Sequence, residues 1–161
     1  METNFKQAVA AVLEHEGGYV DDPHDPGGCT KYGISSRAYP DLDITSLTRE
    51  QAREIYRSDY WDPCRCDELP SGVDLLVFDC AVNQGRHAAI VILQQATGAA
   101  VDGIIGPQTI THAHAGRPDI VMREIVALRG TRYGNLSTFP RFGLGWMRRL
   151  ADMHQKAIEI A

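Results

Sequence analysis

The sequence predicts a mainly helical single domain with a small irregular β-hairpin near its N-terminus. Three observations predict it. Apolar residues recur at helical spacing along most of the chain, glycine and proline crowd into residues 17–33, and no internal repeat, low-complexity tract or polar linker interrupts the pattern. A chain of 161 residues has the usual size of one domain and can bury most of the apolar surface its unfolded form exposes. With 43% hydrophobic and 23% charged residues it has the composition of a soluble globular protein, which sets aside disorder and a membrane class. A net charge of -5 gives no general attraction to polyanions, so neither nucleic-acid binding nor membrane anchoring is expected.

Taken in order, Phe5, Val9, Val12 and Leu13 fall at i, i+4, i+7 and i+8, the stripe of an amphipathic helix that Asn4 or Thr3 can cap. At about 100° per residue, Glu16 lies nearly above Phe5 on the buried stripe, whereas Glu14 lands on the opposite, solvated face. Gly17-Gly18 stops this helix. Weak alternation around Tyr19-Val20 and Tyr32-Gly33-Ile34 supplies the short strands of the hairpin. The run Thr48-Arg-Glu-Gln51 has the form of a capping box, and Ala52, Ile55 and Tyr56 continue at helical spacing toward Tyr60-Trp61. Residues 62–70 connect, and residues 73–82 are apolar almost all round, as a helix buried at the centre of a domain must be, with Gly85 as its stop. A further helix spans residues 86–97, a turn-rich link AVDGIIGPQT leads into one that starts at Pro107, and Pro118 starts a long one. The last helix carries Trp146, Met147, Leu150, His154 and Ile158. Four cysteines in a chain of this size make free or buried thiols rather than a disulfide scaffold.

The chemistry concentrates in residues 13–35, LEHEGGYVDDPHDPGGCTKYGIS. Glu16 ends an apolar helix face, and acids and hydroxyls follow it on turns, where a rigid scaffold commonly presents reactive groups. A desolvated carboxyl keeps its proton more tightly, which suits a donor. Asp25 sits in a polar turn where hydrogen bonds can keep it ionised, with Asp22 as its competitor, and Thr30 can hold a water. Hydrolysis of a glycosidic bond needs such a pair, one protonated acid for the leaving oxygen and one ionised carboxylate for water or for the positive charge at the sugar. The plainer alternative is a helix-end glutamate followed by aspartates that merely initiate turns.

The run EGGY from Glu16, then DPxDPGGxTKYGI over residues 22–34, resembles the signature of glycoside hydrolase family 108, phage and bacterial N-acetylmuramidases with an α+β lysozyme-like fold. The likeness continues in FDxAVN from Phe78 and in DGxxGPxT from Asp102, which resembles the family's peptidoglycan-associated region, so that residues 13–35 hold the catalytic motif and residues 70–161 the wall-associated helical part of one domain spanning residues 1–161. The resemblance implies that Glu16 is the catalytic glutamate, with Asp25 and Thr30 completing a Glu, Asp, Thr triad. It implies bacterial peptidoglycan as the partner and requires neither cofactor nor metal. Tyr19, Asp22, Tyr32, Trp61 and Asn83 are candidates to line the sugar cleft, since aromatic faces stack on pyranose rings, and Trp61 suits the core equally well. A monomer is expected. With no signal-peptide pattern at the N-terminus, a phage enzyme of this kind accumulates in the host cytoplasm and needs a holin to reach the wall.

Other constellations carry less. His15-Glu16 begins like a zincin motif, but position 19 is tyrosine, and His112 and His114 at i, i+2 point to different faces of a helix. Cys64-x-Cys66 lacks the spacing of a redox or zinc motif. Asp79, inside the most apolar helix, calls for an arginine or backbone donor, because an unpaired charge there is expensive. Two rival functions are a lytic transglycosylase, which the second carboxylate disfavours, and a non-catalytic wall-binding module, which Glu16 on the buried stripe disfavours.

The spacing also predicts stereochemistry. A turn carboxylate nine positions past Glu16 can lie across a cleft from it and leave room for water between carboxyl groups roughly 6.5–9.5 Å apart, the arrangement of inverting glycosidases. Proton NMR of fresh product from a soluble β-linked oligomer should therefore show the α-anomer first, and an initial β-anomer excludes inversion. Asp25→Asn should remove activity, and normal activity in that variant moves the role to Asp22.

Overall fold

A computed structural model describes residues 2–17 and 29–161. Helix α1 spans Glu2–Glu16 and the strands β1, Thr30–Lys31, and β2, Ile34–Ser35, form an antiparallel pair with Thr30 opposite Ser35 and Lys31 opposite Ile34. Then come α2 (Arg49–Tyr56), α3 (Val73–Gln84), α4 (Arg86–Thr97), α5 (Pro107–Ala115), α6 (Pro118–Gly134) and α7 (Phe139–Ile160). The described residues are mainly helical with one small hairpin, as the pattern predicts, and the strand expected around Tyr19-Val20 lies outside them.

Helix α3 is the centre. Every residue from Val73 to Ala81 is buried, and α1, α4, α6 and α7 all pack on it. Phe5 of α1 meets Phe78 of α3 edge-on at 6.2 Å and Trp61 at 5.2 Å, so the stripe of the first helix enters one continuous core. The capping box of α2 forms as its sequence suggests, with Gln51 N donating to Thr48 Oγ1 and Thr48 N donating to Gln51 Oε1. Beyond Tyr56 the helix loosens into a π-helical turn over Arg57–Trp61. The DGxxGPxT string folds onto one buried amide: Gln94 donates to Asp102 Oδ1 and Ile104 O and accepts from Gly103 N. All four cysteines are free. Cys64, Cys66 and Cys80 are buried, and burial pushes the Cys64 and Cys80 thiols up to about 11.

Several local expectations change. Helix α1 already begins at Glu2, so Asn4 lies inside it and its amide donates instead to Ser71 Oγ and Asp74 Oδ2. Tyr32-Gly33 is the hairpin's turn rather than part of a strand. Both residues lie in the left-handed region, at φ 54° and 75°, which a two-residue hairpin turn matched to the strand twist requires. On α7 the buried stripe runs through Gly143, Arg149, Leu150, Met153 and Ala157, leaving Met147 and Ile158 exposed. Among the described residues, no helix is long and apolar enough to cross a membrane.

Asp79 has the partners its burial demands. Oδ2 accepts from Arg129 on α6 at 2.7 Å, and Oδ1 accepts from Arg149 Nε on α7 at 2.9 Å, with Arg149 NH2 also close, at 2.8 Å. For Arg129, burial works against the charged form, but the Asp79 carboxylate outweighs it and holds the guanidinium firmly protonated. Arg149 shows the same balance, with burial opposed by Asp79 and then by Glu16. Removing the shared carboxylate strands two buried cations, so Asp79→Ala should cost about 3–5 kcal/mol in urea unfolding. A loss under about 1 kcal/mol would show that the tie contributes little.

Candidate active site

Glu16 is the last residue of α1, and Gly17, at φ 78°, turns the chain away in a conformation that suits glycine. Two elements hold its side chain. Arg149 NH1 donates to Oε1 at 2.6 Å, leaving the glutamate 21% exposed. From the other side the hairpin turn presses down: a Cβ on Gly33 would stand 2.7 Å from Glu16 Oε2 and 2.6 Å from the Tyr56 hydroxyl. Only glycine meets both demands, the positive φ and the close approach.

The Tyr56 hydroxyl donates to Tyr32 O at 2.8 Å and so ties α2 to the hairpin turn. Burial, followed by the neighbouring Glu16 carboxylate, pushes its phenol well up, so it remains a donor. Tyr60 is raised as well, by burial first and then by Asp59 and Glu16. Glu16 thus faces two phenols, a guanidinium and the backbone of the turn. Glu14, two residues earlier, is 63% exposed and pairs with Lys156 Nζ at the surface, where it can serve as a control.

The predicted site residues separate into four groups. Tyr19, Asp22 and Asp25 lie outside the described residues. Glu16, Thr30 and Tyr32 come together in one region, because the hairpin that carries Thr30 on β1 and Tyr32 in its turn is the one resting on Glu16. Asn83 joins from a distance. It sits one turn after Asp79 on α3, its Oδ1 accepts from the Tyr133 hydroxyl, and Tyr133 adjoins Arg129. A polar chain therefore runs Glu16, Arg149, Asp79, Arg129, Tyr133, Asn83.

Trp61 requires a correction. It is 0% exposed, packed edge-on against Phe5 at 5.2 Å and Phe78 at 5.4 Å, so it fills the core and cannot stack on a sugar in this conformation. Sequence reasoning also missed Arg149, Gly33 and Tyr56. The signal for Arg149 was its place on the apolar stripe of α7, next to Leu150 and four before Met153. Arg129 sits likewise between Ile125 and Tyr133 on α6. An arginine on such a stripe, in a chain with an aspartate in its most buried helix, indicates an internal ion pair.

The Gly33 contact gives a direct test. Gly33→Ala should leave the helical circular dichroism spectrum intact yet reduce activity by at least about tenfold, because its methyl group has to displace the Glu16 carboxylate. Gly17→Ala is the comparison, since its φ is also positive but nothing lies within 4 Å of its added Cβ. Equal activity in the two variants would mean that the turn does not position Glu16.

Comparison with known proteins fits this geometry. Residues 9–85 match the model for Glycosyl hydrolase 108, and residues 88–151 match one described as Predicted Peptidoglycan domain. Among solved structures, SagA from Brucella abortus is 33% identical and superposes with a TM-score of 0.88, over 99% of this chain and 97% of that one. No curated protein sequence matches significantly. The likeness to that structure extends over nearly the whole chain. The chain belongs to the glycosyl hydrolase 108 family, and it is a glycoside hydrolase that acts on peptidoglycan.

Proposed function

We propose that the enzyme is an N-acetylmuramidase, cleaving the β-1,4 bond between N-acetylmuramic acid and N-acetylglucosamine with Glu16 as general acid. The observation that carries this reading is the asymmetric environment of the Glu16 carboxyl. Oε1 is occupied by Arg149 NH1, whereas Oε2 makes no hydrogen bond among the described residues and is the oxygen that can carry a proton. As that proton passes to the leaving glycosidic oxygen, negative charge grows on Glu16 beside a guanidinium already in place. The contact is then stronger in the transition state than before it, which is what accelerates a chemical step. Asp79 keeps Arg149 oriented through Nε, so the cation needs no rearrangement during transfer.

Asp25 and Thr30 complete the reading by orienting or deprotonating the attacking water. Thr30 is supported by its place on the hairpin that covers Glu16, and Asp25 by its spacing in the motif. Tyr19, Asp22, Tyr32 and Asn83 are assigned to the sugar cleft. The likeness of residues 13–35 to phage muramidases supports an endolysin role, in which a monomeric enzyme leaves the host cytoplasm through a holin-dependent lesion and degrades the wall.

Glu16→Gln should abolish lysis while leaving the circular dichroism spectrum unchanged, since general acid assistance is worth about 10²–10⁴-fold. Glu14→Gln should be close to silent. Retention of more than half the activity by Glu16→Gln would remove the glutamate from the mechanism. Mass spectrometry of wild-type digests should show hydrated, reducing muramic ends. Anhydro ends would instead identify a transglycosylase, and reducing glucosamine ends a glucosaminidase.

A further inference from the structure

Behind Asn83 lies a pocket of about 260 Å³ lined by Asn83, Gln84, Arg132, Tyr133, Leu136 and Trp146. It shares Gln84, Arg132 and Leu136 with a groove of about 700 Å³ that continues along the faces of α4 and α6. The two form one trough. Its near end adjoins the ion chain: Asn83 is one helical turn beyond Asp79 on α3, and Trp146 is one turn before Arg149 on α7. A turn advances about 5.4 Å along each helix. The trough therefore begins close behind the groups that hold Glu16.

The lining changes in character along its length. At the near end Trp146 stacks on Tyr133 at 5.1 Å and 20°, beside Phe142, which is 45% exposed. Farther along, the floor is aliphatic, with Ala88, Val91, Ile92 and Leu128, and the rim carries the amides of Gln95 and Asn135. Arg132 stands where the two parts meet. It is exposed and has no ion-pair partner among the described residues, so its charge is available at the junction. Nearby, Gln84 Nε2 is buried without a hydrogen-bond partner among the described residues.

The geometry points to this trough as the binding site for the anionic peptide stem that branches from the muramic acid, with Arg132 as the partner of a stem carboxylate. This rests on the muramidase reading, because the stem leaves the strand at the very sugar whose bond Glu16 cuts. The chemistry favours peptide over a run of bare sugars. In stem-bearing peptidoglycan the lactyl carboxyl of muramic acid is consumed in an amide bond, so the anionic groups belong to the peptide. An aliphatic floor with amide groups on its rim suits a backbone with small alkyl side chains, whereas sugar rings favour the aromatic faces present only at the near end. Arg132 is the specificity-determining residue in this arrangement.

The test compares hydrolysis of intact sacculi with that of the same glycan stripped of stems by an amidase. Wild type should prefer the stem-bearing substrate, and Arg132→Glu should collapse that preference in kcat/KM by about tenfold, with Arg132→Lys retaining most of it. A preference that survives charge reversal, or a loss of equal size on both substrates, overturns the proposal. The latter result would assign the trough to glycan instead. A readout independent of turnover uses the fluorescence of Trp146, since Trp61 is wholly buried. Free stem tetrapeptide, L-Ala-γ-D-Glu-diaminopimelate-D-Ala, should shift the emission of wild type and of Glu16→Gln, and not of Arg132→Glu. No shift in wild type at millimolar peptide, together with no preference for stems, also overturns it. Failure of the muramidase reading shows separately, as activity in Glu16→Gln or as non-muramic ends in the digests.

Discussion

Two carboxylates and two guanidiniums, Glu16, Arg149, Asp79 and Arg129, alternate in a line through the interior, and Glu16 is the end of that line nearest solvent. With Glu16 ionised the charges cancel in pairs, and when it holds a proton Asp79 still faces both guanidiniums, which is what allows them to be buried. Because α1, α3, α6 and α7 each contribute one member, the packing of four helices fixes the position of Glu16 together with the hairpin turn. Such an arrangement offers modest stabilisation relative to an apolar core and considerable geometric definition of the Glu16 carboxyl.

The line also explains why two matched segments make one enzyme. Glu16 and Asp79 belong to residues 9–85, and Arg129 and Arg149 to residues 88–151. The segment that matches a peptidoglycan domain thus supplies both cations behind Glu16. The same helices shape the trough at Trp146 and Arg132. The trough and the groups that hold Glu16 therefore rest on shared backbone, and a change in the seating of α7 moves both.

Much of this was legible in the sequence wherever one period dominated a segment. The stripe of α1 placed Glu16 at the inner end of its helix, the apolar run marked α3 as central, and the unsatisfied Asp79 announced an arginine. Legibility failed where a residue served a contact remote in sequence. Tyr32-Gly33 carries aromatic and β-branched neighbours that favour strand, but the need to bring backbone against Glu16 makes it the turn. Met147 and Ile158 lie on the exposed side of α7, because Arg149 and Gly143 occupy the inward stripe for an ion pair and a close approach to Phe139. Trp61 was ambiguous between cleft and core, and the π-helical turn that ends α2 decides the matter by directing its ring inward against Phe5 and Phe78.

The three interior thiols have a consequence for where such an enzyme can work. A thiolate, not a thiol, attacks disulfides and oxidants, and Cys64, Cys66 and Cys80 are held protonated and away from water by burial. The covalent structure around α3 is then indifferent to the redox poise of its surroundings. The part of the fold around these three thiols can be completed under reducing conditions and then exposed to oxidising ones without acquiring or shuffling a crosslink there.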